Sequence, residues 1–224
     1  MRVICVYVYP LNGNHGYLEM AMRFLTSYHE YPAGMDHELL VVCNGAPITD
    51  ETRFLFDSVP NCRYLAHDNS GQDIGAYQAA ARVNPCDLMV FFGANAYIRG
   101  PGWLARMAQA RERHGDTLYG TTANRGFGHV QPHIRTTGFF LSTALFNEYP
   151  FQITRLDQRY NFEHSQASLT SWIKGRKLIP WLVHWDRELQ ERNWDDGPGG
   201  YHQGDQFNLL CGDRLTMPPY HYCS

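Results

Sequence analysis

Three short stretches of this sequence hold residue types that could do chemistry together. The first is Tyr160-Asn161-Phe162-Glu163-His164, which sets a carboxylate beside an imidazole and is followed by Lys174-Gly175-Arg176-Lys177. The apolar spacing of Leu169, Trp172 and Ile173 predicts a helix over Ser165 to Ile173, so Glu163 is expected at a helix start. A carboxylate there, shielded from water, can be tuned toward a neutral pKa and take a proton from a hydroxyl. His164 can equally serve as the base, or orient Glu163. The plainer reading is a glutamate favoured by the positive end of the helix.

The second stretch is Asp68-Asn69-Ser70-Gly71-Gln72-Asp73-Ile74-Gly75-Ala76-Tyr77. It reads as a polar loop running into an Ala-rich helix, Asp73 to Val83, capped by Ser70 or Asp73. The unpaired N–H groups of such a helix start suit an anionic or polar ligand. Gly71 and Gly75 allow close approach of a backbone or a ligand. The third is Gly93-Ala94-Asn95, which ends the apolar run Leu88 to Phe92. A run of that size fits a strand buried on both faces, and its tip falls at the sheet edge where open α/β folds bind ligands.

These stretches need elements to hold them. Arg2 to Tyr9 alternates like a strand, and Tyr17 to Tyr28 is helical in period through Leu18, Met22 and Leu25. Glu38 to Cys43 and Arg63 to Ala66 read as further strands. Thr49-Asp50 caps a short helix over Glu51 to Asp57, and Trp103 to Glu112 is helical. Alternation of strand and helix with short links predicts βαβ units and a parallel sheet. The second half is less regular. Thr117 to Thr122, Gly138 to Leu141 and Leu178 to Trp185 are expected strands, and Arg155 to Tyr160 is simply polar. The Gly-, Asp- and Trp-rich segment Asn193 to Asp205 reads as a loop over the site.

The frame Phe91-Phe92…Ala96-Tyr-Ile-Arg-Gly-Pro-Gly-Trp-Leu104 resembles the central strand of nucleotide-sugar glycosyltransferases of the GT-A fold. In that family the pattern is an apolar run, Asp-x-Asp, and then x-Pro-Gly-Trp-Leu; here Gly93-Ala94-Asn95 replaces the acidic motif. Asn69-x-Gly71-x-Asp73-x-Gly75-Ala76 resembles the nucleoside-contacting stretch of the rhamnan-synthesis and family 2-like group. Glu163-His164, helix, Gly175-Arg-Lys177 resembles their Glu-Asp, helix, Gly-x-Lys segment, with His164 in place of Asp. The resemblance runs from about Arg2 to Lys177.

It implies an α/β, GT-A-like (Rossmann-like), mostly parallel central sheet flanked by helices, with a small antiparallel acceptor-side portion. One domain would span residues 1–224, the nucleotide-binding half ending near residue 104. It further implies transfer of a sugar from a nucleotide diphosphate sugar to a hydroxyl on a glycan, as in surface-polysaccharide synthesis. Glu163 as general base would invert the anomeric centre. Tyr9, Asn44, Asp68, Asn69, Gly71, Asp73 and Asn95 would line the donor, and Arg135, Thr136 and Thr137 the acceptor side. A divalent metal, Mn²⁺ or Mg²⁺, would find only weak ligands in Asn95 and a late His, His184; His202 and His221 belong to the same late set. Hard cations want several anionic oxygens. Leaving-group charge would then fall to groups such as Arg99, Arg125, Arg135 or Lys177. Trp and Tyr residues between 181 and 222 could stack on a sugar ring, though core packing is their commoner use.

Composition narrows the classes. A net charge of −3 gives no basic face for nucleic acid. No segment approaches the ~20 apolar residues that span a bilayer. The start, MRVICVYVYP, reads as a strand rather than a signal peptide. Six cysteines show neither CxxC nor zinc spacing and read as reduced thiols of a cytoplasmic protein. Two other classes remain. One is a non-catalytic relative that binds a nucleotide or glycan after losing the metal motif. The other is a nucleotidyltransferase, which the missing acidic pair disfavours because such phosphoryl chemistry leans on metal ions.

Overall fold

A computed structural model describes residues 1–11, 16–125, 130–195 and 206–214. The first part follows the expected alternation: β1 (Val3–Pro10), α1 (Gly16–Glu30), β2 (Glu38–Asn44), α2 (Asp50–Leu55), β3 (Cys62–His67), α3 (Gln72–Val83) and β4 (Leu88–Phe92). Successive residues of β1 serve two cores, as strand geometry requires. Val3, Cys5, Tyr7 and Tyr9 pack on one face with Phe24, Phe56 and Trp103. Ile4, Val6 and Val8 pack on the other with Ile74, Tyr77 and Phe146. The sheet is therefore covered on both faces, which is why β1, β2 and β4 are near-continuous apolar runs.

The chain continues through β5 (Tyr97–Ile98), α4 (Trp103–His114), β6 (Tyr119–Gly120), β7 (Ala123–Asn124), β8 (His133–Ile134) and β9 (Phe139–Leu141). Then come α5 (Thr143–Asn147), α6 (Leu156–His164), α7 (Leu169–Gly175), β10 (Trp181–Val183), β11 (Glu188–Gln190) and β12 (Cys211–Gly212). Eight strands form one sheet in the order β11-β10-β6-β9-β4-β1-β2-β3. β1, β2, β3 and β4 are parallel neighbours, and β9 runs antiparallel between β4 and β6. β10 is parallel to β6, and β11 turns back against β10. Six of the eight strands thus share a direction. The pairs β7–β8 and β5–β12 are small antiparallel ribbons beside this sheet. The expected α/β architecture, with its antiparallel portion in the second half, is what forms.

Some elements differ from their expected form. The strands expected over Thr117 to Thr122 and Leu178 to Trp185 shorten to Tyr119–Gly120 and Trp181–Val183. Arg155 to Tyr160 is not an irregular polar segment but most of a helix, α6. Only Phe162 of that helix is buried, so there was no apolar period to read. The turn is built locally instead: Gln158 Oε1 accepts the backbone N–H groups of Thr154 and Arg155 at 2.8 and 3.1 Å. Thr49 caps α2 as expected, its hydroxyl accepting from Thr52 N. α3, however, is capped by Gly71 in a left-handed conformation, φ +68°, with no side-chain cap from Ser70 or Asp73.

The five described cysteines are free thiols. Among the described residues no helix is long and apolar enough to cross a membrane.

Candidate active site

The carboxyl ends of β1, β2 and β4 meet at one edge. Backbone bonds tie the chain together there: Leu11 N donates to Asn44 O, and Gly45 N to His67 O. Beyond the tips opens a cavity of about 510 Å³, within the range of small-molecule sites. Val8, Pro10, Asn44, Asn69, Gln72 and Asp73 line its first wall, and Gly93, Ala94 and Asn95 its floor. The facing wall comes from the second half: Asn124, His133, Arg135, Thr136, Thr137, Arg159, Glu163, His164, Asp213 and Arg214.

The first wall is mostly neutral and cross-braced. Asn44 Nδ2 donates to Asn69 Oδ1 at 2.8 Å, and His67 Nδ1 lies 2.7 Å from Asn44 Oδ1. Asn69 sits at φ +68°, a conformation Asn tolerates better than most residues. At the floor, Tyr7 donates its hydroxyl to Ala94 O, and Arg23 Nη2 donates to Asn95 O at 2.6 Å. Both carbonyls are thus turned into the protein. Tyr77 lies beneath, fully buried, its hydroxyl 3.4 Å from where a Cβ on Gly93 would stand.

The facing wall carries the charge. Glu163 is the eighth of nine residues in α6, at the carboxyl end of a helix and not at a helix start. The helix dipole there disfavours a carboxylate, so neither a capping role nor stabilisation by a helix amino end applies. Side chains hold it instead. Thr136 Oγ1 donates to Glu163 Oε1 at 2.5 Å, Arg159 Nη2 stands 3.7 Å away on the preceding turn, and His164 Nε2 is 3.3 Å from Oε2. The carboxylate is 15% exposed.

Arg159 links the two walls. Its Nε is 3.2 Å from Asp73 Oδ1, and its Nη1 donates to Gln72 Oε1 at 3.1 Å. Burial weakens the guanidinium's charge, but Asp73 and Glu163 more than restore it and raise its pKa. Burial pushes the Asp73 carboxyl above its ordinary value, with Glu163 adding to the rise and Arg159 opposing it. Behind Glu163, His164 Nδ1 is 3.1 Å from His133 Nε2, and His133 Nδ1 is 2.8 Å from Gln131 O. That backbone contact fixes a proton on His133 Nδ1 and leaves Nε2 to accept from His164. His164 therefore presents Nε2 to Glu163. Burial lowers the pKa of His133.

The expected site residues divide. Asn44, Asn69, Asp73, Asn95, Arg135, Thr136, Thr137, Glu163 and His164 meet around the cavity. Tyr9, Asp68 and Gly71 do not line it. Tyr9 points into the opposite core, its ring 5.8 Å from Phe56, because it alternates with Val8 and Pro10. Asp68 is exposed and accepts from Ser70 N. A Cβ on Gly71 would stand 2.1 Å from Ile153 O, and one on Gly75 1.9 Å from Ser70 O. These glycines admit protein backbone, not ligand. His184 is fully buried beyond β10, bridged to Leu209, and does not meet Asn95. His202 and His221, and most of the segment Asn193 to Asp205, lie outside the described residues. Trp181 stacks on His114 at 3.8 Å, and Trp194 is buried, so both pack the scaffold away from the cavity. Trp185 donates to Leu209 O.

Sequence reasoning passed over Tyr17, Asn124, Arg159, Asp213 and Arg214, and did not single out Gln72 or His133 within their stretches; all line the cavity. Tyr17 had a signal, since it follows the first strand at the ligand edge. Arg159 would have shown as an i, i+4 neighbour of Glu163 had α6 been recognised. Asp213 and Arg214 arrive through β12, a two-residue strand.

The GT-A resemblance implies a divalent cation at the strand tip, and the residues there do not fit one. Gly93 and Ala94 have no donor side chain, and Asn95 offers one neutral amide oxygen. The nearby carboxylate, Asp213, is held by Arg135, with Nη2 to Oδ2 at 2.6 Å and Nη1 to Oδ1 at 3.3 Å. Among the described residues no group of three or more His, Cys, Asp or Glu is disposed to hold a metal ion.

No protein-family profile matches the chain. No curated protein matches it. Solved structures do. A putative glucose-1-phosphate thymidylyltransferase from Bacillus anthracis, in complex with a sucrose, is similar at a TM-score of 0.54 and 9% identity, over 79% of this chain and 84% of that one. S. aureus TarS is similar at a TM-score of 0.49 and 12% identity, over 68% of this chain and 30% of that one. TarS 1–349 in complex with UDP-GlcNAc gives 0.47 and 13%, over 66% and 47%. The chain thus spans less than half the length of either TarS form. The shared architecture is a GT-A-like, Rossmann-like α/β fold.

Proposed function

We propose that this protein transfers a sugar from a nucleoside diphosphate sugar to a hydroxyl acceptor on a glycan, with inversion. The observation that carries this reading is the placement of Glu163. A mostly buried carboxylate, fixed by Thr136 and Arg159 with His164 beside it, faces the strand tips across a polar cavity of about 510 Å³. The nucleoside would lie against Asn44, Asn69 and Asp73, where neutral donors and acceptors are pre-ordered. Asp73 would accept from a ribose or base group.

In this scheme Glu163 takes the proton of the acceptor hydroxyl as its oxygen attacks the anomeric carbon. The new C–O bond forms on the face opposite the leaving group. The bond to the diphosphate breaks, and its electron pair departs with the nucleoside diphosphate. Thr136 and Arg159 hold the carboxylate's orientation, while the His164–His133 pair is placed to receive the proton afterwards. Arg135 and Thr137 would face the acceptor or the bond being broken.

A thermal-shift screen against nucleoside diphosphates and their sugars tests the donor half. A ligand at 100 times its dissociation constant stabilises the fold by about 2.7 kcal/mol. Glu163→Gln then tests the chemistry: nucleotide binding is expected to persist and turnover to collapse. Binding by the wild type with no turnover on any acceptor glycan supports the non-catalytic alternative. No shift with any nucleotide removes the glycosyltransferase reading.

A further inference from the structure

The strand tip lacks metal ligands, yet a departing diphosphate needs positive charge beside it. β12 supplies it. β12 pairs antiparallel with β5, setting Cys211 opposite Ile98 and Gly212 opposite Tyr97. Asp213 and Arg214 follow directly on the end of β12. Both Asp213 and Arg214 line the cavity. Arg214 is exposed, and among the described residues it has no ion-pair partner.

Asp213 has another use. With Arg135 it forms a forked pair whose side chains are 7% and 14% exposed. The carboxylate thereby fixes a second guanidinium in the same wall, and Arg135 N donates to Thr122 O to hold its backbone. A further arginine of the cavity, Arg159, is committed to Asp73 and Glu163. With His neutral, Arg135, Arg159 and Arg214 balance Asp73, Asp213 and Glu163. Among the described residues of the cavity, Arg214 is thus the cation left to meet an incoming anion, with Arg135 locked beside it.

We propose that Arg214, braced by the Arg135–Asp213 pair, is the seat for the diphosphate of the donor, in place of a divalent ion. The proposal rests on the nucleotide-sugar reading above and names how that site holds its leaving group. Guanidinium suits this role because it is always charged and its planar N–H array matches phosphate oxygens. The residues at Gly93 and Ala94 fit the same picture. Two carboxylates at the tip would repel a phosphate in the absence of a metal, and their loss lets a guanidinium approach directly.

The test is isothermal titration of the full chain with a nucleoside, its monophosphate and its diphosphate, each with EDTA or Mn²⁺. The nucleotide family is the one the thermal-shift screen selects. The wild type is expected to bind the diphosphate equally well in both buffers. Arg214→Gln is expected to weaken diphosphate binding roughly tenfold to hundredfold, with nucleoside binding within twofold. Arg214→Lys should recover part of the loss. Asp213→Asn, which unlocks Arg135, should weaken the diphosphate less than Arg214→Gln does. Unchanged diphosphate affinity in Arg214→Gln overturns the seat but leaves the nucleotide reading standing. So does wild-type binding that vanishes in EDTA and returns with Mn²⁺. Absence of binding by all three ligands overturns both.

Discussion

The two walls of the cavity are built on different principles. The first wall is the end of a parallel sheet. Its polar groups, Asn44, Asn69 and the backbone at Gly93–Asn95, are neutral and held by short local bonds. Among the described residues Asp73 is its one charged side chain in the cavity. The facing wall comes from a hairpin, a helix and a two-residue strand, and it brings Arg135, Arg159, Glu163, Asp213 and Arg214. On the proposed function, the difference separates two roles. The regular half offers shape and hydrogen bonds, which suit recognition. The irregular half offers charge, which suits chemistry on a ligand once bound.

Substitutions can break or sharpen this division. The largest expected effect is Glu163→Gln. Loss of a general base should lower turnover by about 10³-fold, with nucleotide affinity within twofold by titration. An equal fall in affinity would mean that the two walls do not divide the work. Next is Arg159→Met, which removes the cation shared by Asp73 and Glu163. Turnover should fall by about 10²-fold through misplacement of Glu163. Nucleotide affinity should fall as well, because Asp73 loses its counter-ion. A change in turnover alone would show that Arg159 serves only its own wall.

Gly71→Ala probes the first wall's scaffold. Its φ of +68° and the 2.1 Å approach of Ile153 O leave no room for a methyl group. Unfolding free energy by denaturant titration should drop by roughly 2 kcal/mol. An unchanged midpoint would refute the packing role assigned to this glycine.

The smallest effect is in pH. Burial holds His133 on the charged wall and His67 on the neutral one below the ordinary imidazole value. Below about pH 6.5 the unfolded chain takes up protons first. Stability should be full above that pH and decline as pH falls through the lowered folded values. Comparing His133→Gln with His67→Gln at about pH 7.5 and pH 5.5 shows which wall contributes more of the slope. A flat profile in the wild type would contradict both assignments.

The same division explains what the sequence revealed. β1 and β4 were legible because unbroken apolar runs are a local property of strands between two helix layers. Asn69 and Asp73 could be placed because they lie in the loop after β3 and the first turn of α3. α6 was not legible: one buried side chain, Phe162, leaves no helical stripe, and its turn depends on Gln158 reaching back to Thr154 and Arg155. Glu163 was therefore found while its setting was misjudged. Arg214 was invisible for another reason. β12 exists only because Cys211 and Gly212 meet Ile98 and Tyr97, far earlier in the chain. Gly71 and Gly75 show a third kind of miss. The need for a missing side chain was apparent, but not whether ligand or protein filled the space.

The continuity of the sheet governs how the protein can move. β9 is hydrogen-bonded to β4 on one side and to β6 on the other, so the ladder runs unbroken from β3 to β11. The stacked rings of Phe91 and Phe139, 4.6 Å apart, lie across that seam. Clamshell closure of one wall on the other would have to tear the β4–β9 ladder. The molecule should behave mechanically as a single elastic plate, with compliance confined to the loops at its rim. Small-angle scattering should then register no change in radius of gyration when a nucleotide binds.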